Sequence, residues 1–130
     1  MACELHSRAT GFRPMKSVSM FSSIYFYRTA IDMRKSINGL SVVVDQEMKL
    51  DLKTSSLFIF CNRRRTHMKM LYFDRSGFAL WLKKLDESKF PWPKDIEGDV
   101  LTVTAQDLEL LLEGVNIWTR FRDVHFEQII

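Results

Sequence analysis

The chain has no long hydrophobic run and very little cysteine. These absences argue against a membrane span, a secretory signal and a disulfide. No apolar stretch approaches the roughly 18 residues of a membrane span, and the N-terminal segment lacks the continuous apolar core of a secretory signal. We therefore expect a cytoplasmic protein with no membrane partner. The only cysteines, Cys3 and Cys61, fall in a loose N-terminal segment and in a predicted strand, so we expect free thiols rather than a disulfide.

Patterns that carry catalysis or hold cofactors are scarce as well. The sequence has no glycine-rich phosphate loop and no serine-nucleophile motif. Cys61 with His67 would supply only two of the three or four ligands that a zinc site needs. The acids Asp32, Asp74 and Asp99 could form the metal triad of a nuclease, but each is explained locally, as a helix cap, a turn and a strand entry. The sequence therefore predicts no enzyme, no metal and no cofactor.

What the sequence does contain is material for one core. Its 130 residues are 46% hydrophobic and include 10 phenylalanines, which is the size and composition of a single globular domain. Residues 1–19 show no periodicity, and we interpret them as a flexible N-terminal extension. Residues 20–118 then form the single domain, and residues 119–130 a C-terminal tail.

Hydrophobic periodicity predicts five strands. They lie at 24–27, 57–61, 67–73, 78–83 and 100–104, and the first of them consists of β-branched and aromatic residues alone. The run 57–61 is continuously apolar, as in a central strand covered on both faces, whereas 67–73 alternates. The three strands between residues 57 and 83 are joined by two turns, and they predict a meander.

Two helices complete the predicted fold. Asp32 is the expected N-cap of a helix from Met33 to about Met48, in which Gly39 would mark close packing against the sheet. Thr104 and Asp107 fit a capping box for a second, shorter helix near residues 105–113, with Gly114 at its C-terminal cap. The predicted class is α+β: a mainly antiparallel, curved sheet of four to five short strands, with one long helix packed on it and a short C-terminal helix.

Positive charge is concentrated in one stretch. Residues 60–84 hold seven basic residues and one acid, 7 − 1 = +6, in a chain whose net charge is +3. Residues 85–117 reverse the sign, with two lysines and eight acids, 2 − 8 = −6. Because a local basic patch attracts polyanions and supplies the sequence-independent part of phosphate binding, the stretch indicates a nucleic-acid partner.

The sharpest candidates within that stretch are Arg63, Arg64 and Arg65, at a predicted hairpin tip. Guanidinium groups at such a tip reach phosphates bidentately without being buried. One alternative is electrostatic docking to protein, through the acidic segment of this chain or of a partner. The other is a solvated loop without a partner.

Further candidates surround the hairpin. An aromatic platform among cations on one sheet face would hold single strands by stacking, and it would consist of Lys69, Arg75, Trp81 and Lys83. The alternative is that Trp81 completes the core. Lys84 belongs to the same basic stretch. Arg34 and Lys35 fall in the first turn of the predicted first helix, where free N–H groups favour an anion, or else on a solvated helix face.

Four runs of residues also carry a family resemblance. They are DMRKSINGL at 32–40, FCNRRR with KMLYFDRSGFALW between 60 and 81, FPWP at 90–93, and LLEGVNIW at 111–118. In this order they resemble the accessory protein, the TnpB-type second reading frame, of the insertion-sequence-66 family of bacterial transposable elements. The resemblance implies a role beside a separate, element-encoded transposase that carries out the strand transfer.

Charge and resemblance together predict a non-catalytic accessory factor for DNA transposition. It would bind nucleic acid, with DNA the expected partner, through the basic hairpin. The alternative function is a protein adapter that docks the transposase, or self-associates as a homo-oligomer, through complementary basic and acidic patches. A metal nuclease is the third hypothesis.

Overall fold

A five-stranded sheet organises the part of the chain that the computed structural model describes, residues 18–93 and 96–119. The strands are β1 (Ser23–Tyr27), β2 (Ser56–Cys61), β3 (His67–Asp74), β4 (Gly77–Lys84) and β5 (Val100–Val103). Their order across the sheet is β4-β3-β2-β1-β5. Cys3, Asp95, most of the predicted N-terminal extension and all but Thr119 of the predicted tail lie outside the described residues.

The sheet is mixed, because β1 and β2 run parallel while the other three neighbouring pairs run antiparallel. The α+β class, the five strand positions and the β2-β3-β4 meander are confirmed. The parallel pair was not predicted. Strand periodicity does not reveal it, since it arises from a helical crossover that carries the chain from the end of β1 back to the start of β2.

The first helix is shorter than predicted and begins later. Helix α1 (Ile37–Val42) continues as a π-helical segment (Val43–Met48), so the whole helix has 12 residues and ends at Lys49, whose φ is +56°. Asp32 is therefore not its N-cap. Instead, the Asp32 carboxylate accepts a hydrogen bond from the backbone N–H of Arg34 at 2.9 Å and closes a turn before the helix.

The sequence predicts that Gly39 packs against the sheet, but the nearest side chain to it is that of Lys35. A Cβ atom at this position would lie 3.3 Å from Cβ and Cγ of Lys35, so it is the aliphatic stem of that lysine that covers the glycine. Leu40 and Val44, four residues apart on one face of the helix, are completely buried.

The second helix, α2 (Ala105–Leu112), begins as the sequence predicted. The Thr104 hydroxyl accepts a hydrogen bond from the Asp107 N–H at 3.0 Å, and the Asp107 carboxylate accepts one from the Thr104 N–H at 3.2 Å. Gly114 follows the C-cap with φ of +87°, a conformation that glycine adopts without steric cost. A short 3-10 turn (Val18–Met20), in which Val18 is buried, packs against α2.

One helix covers each face of the sheet, so there are two apolar layers. On the face toward α1, here the α1 face, Phe58, Phe60 and Leu71 pack with the helix. On the α2 face, the residues packed with the second helix include Ile59 and Met70. All six residues of β2 are buried, which explains its unbroken apolar run. None of the helices in the described part of the chain combines the length and apolar character needed to cross a membrane.

Candidate nucleic-acid interface

The four sequence runs singled out above meet at one end of the sheet. This end, here called the carboxyl edge, is where the parallel strands β1 and β2 finish at Tyr27 and Cys61. Two hydrogen bonds join the runs there, from the Phe90 N–H to the Arg65 carbonyl (2.7 Å) and from the Trp118 Nε1–H to the Pro91 carbonyl (3.0 Å). Two more join residues that flank the runs, from the Ile31 N–H to the Cys61 carbonyl (2.9 Å) and from the Leu85 N–H to the Thr66 carbonyl (2.9 Å). The carboxyl ends of parallel strands are where ligand sites form in open α/β sheets.

Asn62 shapes the loop that carries the three arginines. Its Oδ1 accepts hydrogen bonds from the backbone N–H groups of Thr66 (2.9 Å) and His67 (3.0 Å), and its Nδ2 donates to the Thr66 hydroxyl at 3.0 Å. The Arg65 N–H donates to the Asn62 carbonyl at 3.0 Å and closes a four-residue turn. The turn places Arg63 and Arg64 at its two central positions, where both residues are exposed on a backbone held by hydrogen bonds.

Arg65 adopts a left-handed backbone conformation, with φ of +63°. A residue with a side chain is about 1–2 kcal/mol less stable there than in the right-handed region, which is why glycine or asparagine is usual at such positions. The backbone of Arg65 is held on both sides, by the Asn62 carbonyl and by the Phe90 N–H. The loop thus holds an arginine at a position where the backbone conformation would be more favourable for glycine or asparagine.

The charges of the hairpin are not neutralised by the rest of the described chain. Within residues 18–93 and 96–119, the side chains of Arg63, Arg64 and Arg65 make no hydrogen bond and no ion pair. Other arginines nearby do: Arg28 lies 3.9 Å from Asp99, and Arg34 lies 2.6 Å from Asp32. Docking of the hairpin onto the acidic segment of its own chain therefore has no ion pair to support it among these residues.

A cavity of about 420 Å³ opens beside the hairpin. It is lined by residues that follow β1, by two arginines and by an aromatic side chain: Thr29, Ala30, Arg63, Arg65 and Trp92. Trp92 is half-buried and packs edge-on against Phe26, with ring centroids 6.3 Å apart and an interplanar angle of 75°.

The sequence prediction used the FPWP run only for the resemblance and missed Trp92 as a residue of the candidate site. An aromatic between two prolines, downstream of a basic hairpin, was the available signal.

The predicted platform is not assembled as a unit. Met70 pairs with Trp81 and Met68 with Lys83, so both platform residues lie on the α2 face, whereas Lys69 points to the α1 face. The prediction of one shared face is therefore wrong for Lys69. Trp81 is half-buried against the core of the α2 face.

Lys69 is engaged within the protein. Its ammonium group donates hydrogen bonds to the carbonyls of Met33 at 2.8 Å and Lys35 at 2.7 Å. Burial lowers the pKa of Lys69 below its ordinary value.

Lys84 is exposed on the α1 face, where it is paired across the strands with His67. The pKa of His67 is lowered by burial first, and then by the charges of Lys84 and Lys69.

Other predicted residues lie apart from the hairpin. Arg75 occupies the β3–β4 turn, with φ of +55°, at the opposite end of the sheet. Arg34 and Lys35 precede α1 instead of forming its first turn, and Lys35 is exposed. The guanidinium of Arg34 binds the Asp32 carboxylate and lowers the pKa of that acid to about 2.

The three acids considered for a metal triad do not converge. Asp32 and Asp99 lie near the carboxyl edge, while Asp74 ends β3 at the far end of the sheet. In the described ranges, no three His, Cys, Asp or Glu side chains are grouped as a metal site would need. The Cys61 thiol is free and buried, and burial raises its pKa to about 12.

Comparison with known proteins assigns this arrangement to a family. The family model described as "IS66 Orf2 like protein" matches residues 22–122. Two relatives come from Sinorhizobium fredii (strain NBRC 101917 / NGR234). Uncharacterized protein y4hO is 32% identical over 85 residues, which cover 65% of this chain and 73% of the relative. Uncharacterized protein y4jC is 30% identical over 92 residues, 71% of this chain and 77% of the relative. No solved structure matches the chain.

Proposed function

The chain belongs to the IS66 Orf2-like family, and from that premise we propose that it is a non-catalytic accessory factor for DNA transposition that binds nucleic acid through Arg63, Arg64 and Arg65. Membership supports an accessory role associated with transposition. The transposase encoded by the same element would carry out the strand transfer, and this protein would hold nucleic acid beside it.

The observation that carries the proposal is the set of three arginines without partners in the described chain, presented on a loop that Asn62 fixes. Cations that are not already neutralised can displace the counterions of a phosphate backbone, and counterion release supplies most of sequence-independent binding. Because the loop backbone is already ordered, binding need not order it. The neighbouring cavity adds a concave surface to the same edge.

The absence of catalysis is part of the proposal. It is supported by the separation of Asp74 from Asp32 and Asp99, since phosphoryl transfer on two metal ions requires carboxylates that hold ions about 3.5–4 Å apart. Asp32 and Asp99 also have structural roles, in the turn before α1 and in the contact with Arg28.

The test replaces Arg63, Arg64 and Arg65 together with alanine. We expect weaker binding to every nucleic-acid sequence, because phosphate contacts do not read bases. We also expect the slope of log affinity against log salt to become shallower by about 2 to 3, for three lost phosphate contacts. Titrating labelled oligonucleotides against both proteins at several salt concentrations measures both quantities.

The matched control replaces three exposed cations at the other end of the sheet, Lys49, Lys53 and Arg75, with alanine. It removes the same charge, so a decrease shared by both variants would reflect net charge alone. Equal affinities and salt slopes for the hairpin variant and the unmodified protein would remove the hairpin from the binding surface and contradict the proposal.

A second candidate function is the protein adapter, and one observation favours it. The exposed acids Asp86, Glu87 and Glu97 belong to the segment that hydrogen-bonds to the hairpin backbone, yet they form no ion pair with any residue the structure describes. Both signs of charge therefore remain available at one edge of the molecule. A transposase surface, or a second copy of this chain, could pair with either.

A further inference from the structure

Trp92 is held more firmly than its place between two strands suggests. Prolines flank it, and their rings restrict the backbone on both sides. The Phe90 N–H donates to the Arg65 carbonyl at 2.7 Å, and the Pro91 carbonyl accepts from the Trp118 indole N–H at 3.0 Å. Together with the edge-on contact to Phe26, these bonds fix the indole before any ligand arrives. A rigid aromatic surface loses little conformational entropy when a partner stacks on it.

The cavity combines this aromatic with two cations. Arg63 and Arg65 line one side of it, and the Trp92 indole N–H makes no hydrogen bond with any described residue, so it can still donate. The volume of about 420 Å³ falls within the range of about 300–1,000 Å³ that small-molecule sites occupy. An aromatic face beside guanidinium groups suits a nucleotide, because the base has a π-face and the phosphate is an anion.

We propose that the cavity between Arg63, Arg65 and Trp92 binds one unpaired nucleotide of a single-stranded nucleic acid, with its base stacked on Trp92 and its phosphate bound by the arginines. The inference rests on the proposed function and specifies which form of nucleic acid the hairpin holds. A base inside a duplex is paired and stacked on both sides, so it cannot stack on Trp92 unless it is first unstacked. The cavity therefore gives single strands an interaction that duplexes lack.

The test compares the unmodified protein with Trp92→Ala and Trp92→Phe. The probes are a labelled single-stranded DNA, the single-stranded RNA of the same sequence, and the DNA duplex. We expect Trp92→Ala to weaken single-strand binding at least fivefold, the lower end of the effect of removing one stacked base, and to leave duplex binding unchanged. Trp92→Phe keeps a stacking ring and should retain most of the affinity. The DNA and RNA arms show whether the site accepts both sugars or one.

The hairpin supplies a matched control, because Arg64 is exposed but does not line the cavity. We expect Arg64→Ala to weaken single-strand and duplex binding by the same factor. A second variant also tests the cavity. Ala30→Leu fills the cavity without removing the contact between Trp92 and Phe26. It should reproduce the selective loss even if Trp92→Ala lowers the fraction of folded protein, which thermal unfolding of each variant will show.

The outcomes separate this inference from the proposed function. If the triple arginine variant loses binding while Trp92→Ala and Ala30→Leu bind single strands normally, or lose single-strand and duplex binding equally, the nucleotide site is wrong and the hairpin function stands. If the triple arginine variant binds like the unmodified protein, the proposed function itself is wrong. Selective loss of single-strand binding in both cavity variants, in either the DNA or the RNA arm, supports the site.

Discussion

Lys69 shows that strand alternation can hold while the predicted grouping of side chains does not. Because β3 alternates, Lys69 lies on the face opposite Met68 and Met70, and so apart from Trp81 and Lys83, with which the sequence grouped it in a platform for single strands. The structure instead directs the ammonium to the carbonyls of Met33 and Lys35, on the loop before α1. Those acceptors belong to the backbone and lie 36 and 34 residues earlier, so no pattern of side chains in the sequence predicts them.

These bonds predict a structural effect of changing Lys69. We expect Lys69→Met to lower the free energy of unfolding by about 1–3 kcal/mol, because two hydrogen bonds to a charged donor are lost. Urea denaturation measures this. The control is Lys83→Met, on the α2 face, where the lysine makes no side-chain hydrogen bond to the described residues and the change should stay within about 0.5 kcal/mol. Equal destabilisation by both substitutions would mean that the loop does not depend on Lys69.

At the scale of elements, the local patterns predicted what local contacts decide. The five strands, their facing residues and the capping box at Thr104 depend on residues within a few positions of each other, and all were predictable. The start of α1 was not. The carbonyls of Met33 and Lys35 accept hydrogen bonds from the Lys69 ammonium, and Arg34 binds the Asp32 carboxylate, so this segment is held by contacts other than a helical ladder. Regular helical hydrogen bonding begins at Ser36, whose carbonyl accepts from the Leu40 N–H.

The two helix starts predict different responses to loss of a hydroxyl group. Thr104→Ala should lower the free energy of unfolding by about 1 kcal/mol, because the Asp107 N–H loses its acceptor, and Thr104→Ser should restore most of it. Ser36 is the N-cap of α1 but makes no side-chain capping bond, so Ser36→Ala should be nearly neutral. Thermal or urea unfolding of the three variants provides the comparison. A loss at Ser36 as large as that at Thr104 would contradict this difference between the two caps.

At the scale of the whole molecule, the basic stretch and the acidic segment that follows it in the sequence also lie close together in the structure. The basic hairpin and the acidic segment after β4 lie at the same edge, joined by backbone hydrogen bonds at Thr66 and Arg65. The hairpin could be predicted from the sequence because its residues are consecutive. The cavity could not, because Thr29, Arg63 and Trp92 come from three separate segments that only the parallel pairing of β1 with β2 and the packing of the FPWP run bring together.

The two candidate functions predict opposite results for a paired charge reversal. In the acidic segment, Asp95 lies outside the described residues and Asp99 contacts Arg28, so the reversal is best placed on Asp86, Glu87 and Glu97, each changed to lysine. The partner variant changes Arg63, Arg64 and Arg65 to glutamate. If the adapter pairs these two charges between copies, each single set should lower the molar mass measured by light scattering, and combining the sets should restore it.

Nucleic-acid binding predicts no such rescue. The hairpin reversal should abolish binding to labelled DNA, and the combined variant should not regain the affinity of the unmodified protein, because glutamates at the hairpin cannot make the phosphate contacts of the arginines. The same set of proteins thus tests both functions. Restored mass with lost DNA binding would establish charge-paired assembly beside the hairpin site, and a combined variant as dissociated as its parents would contradict the adapter based on pairing between copies. Normal DNA binding by the hairpin reversal would leave the accessory role without its proposed surface.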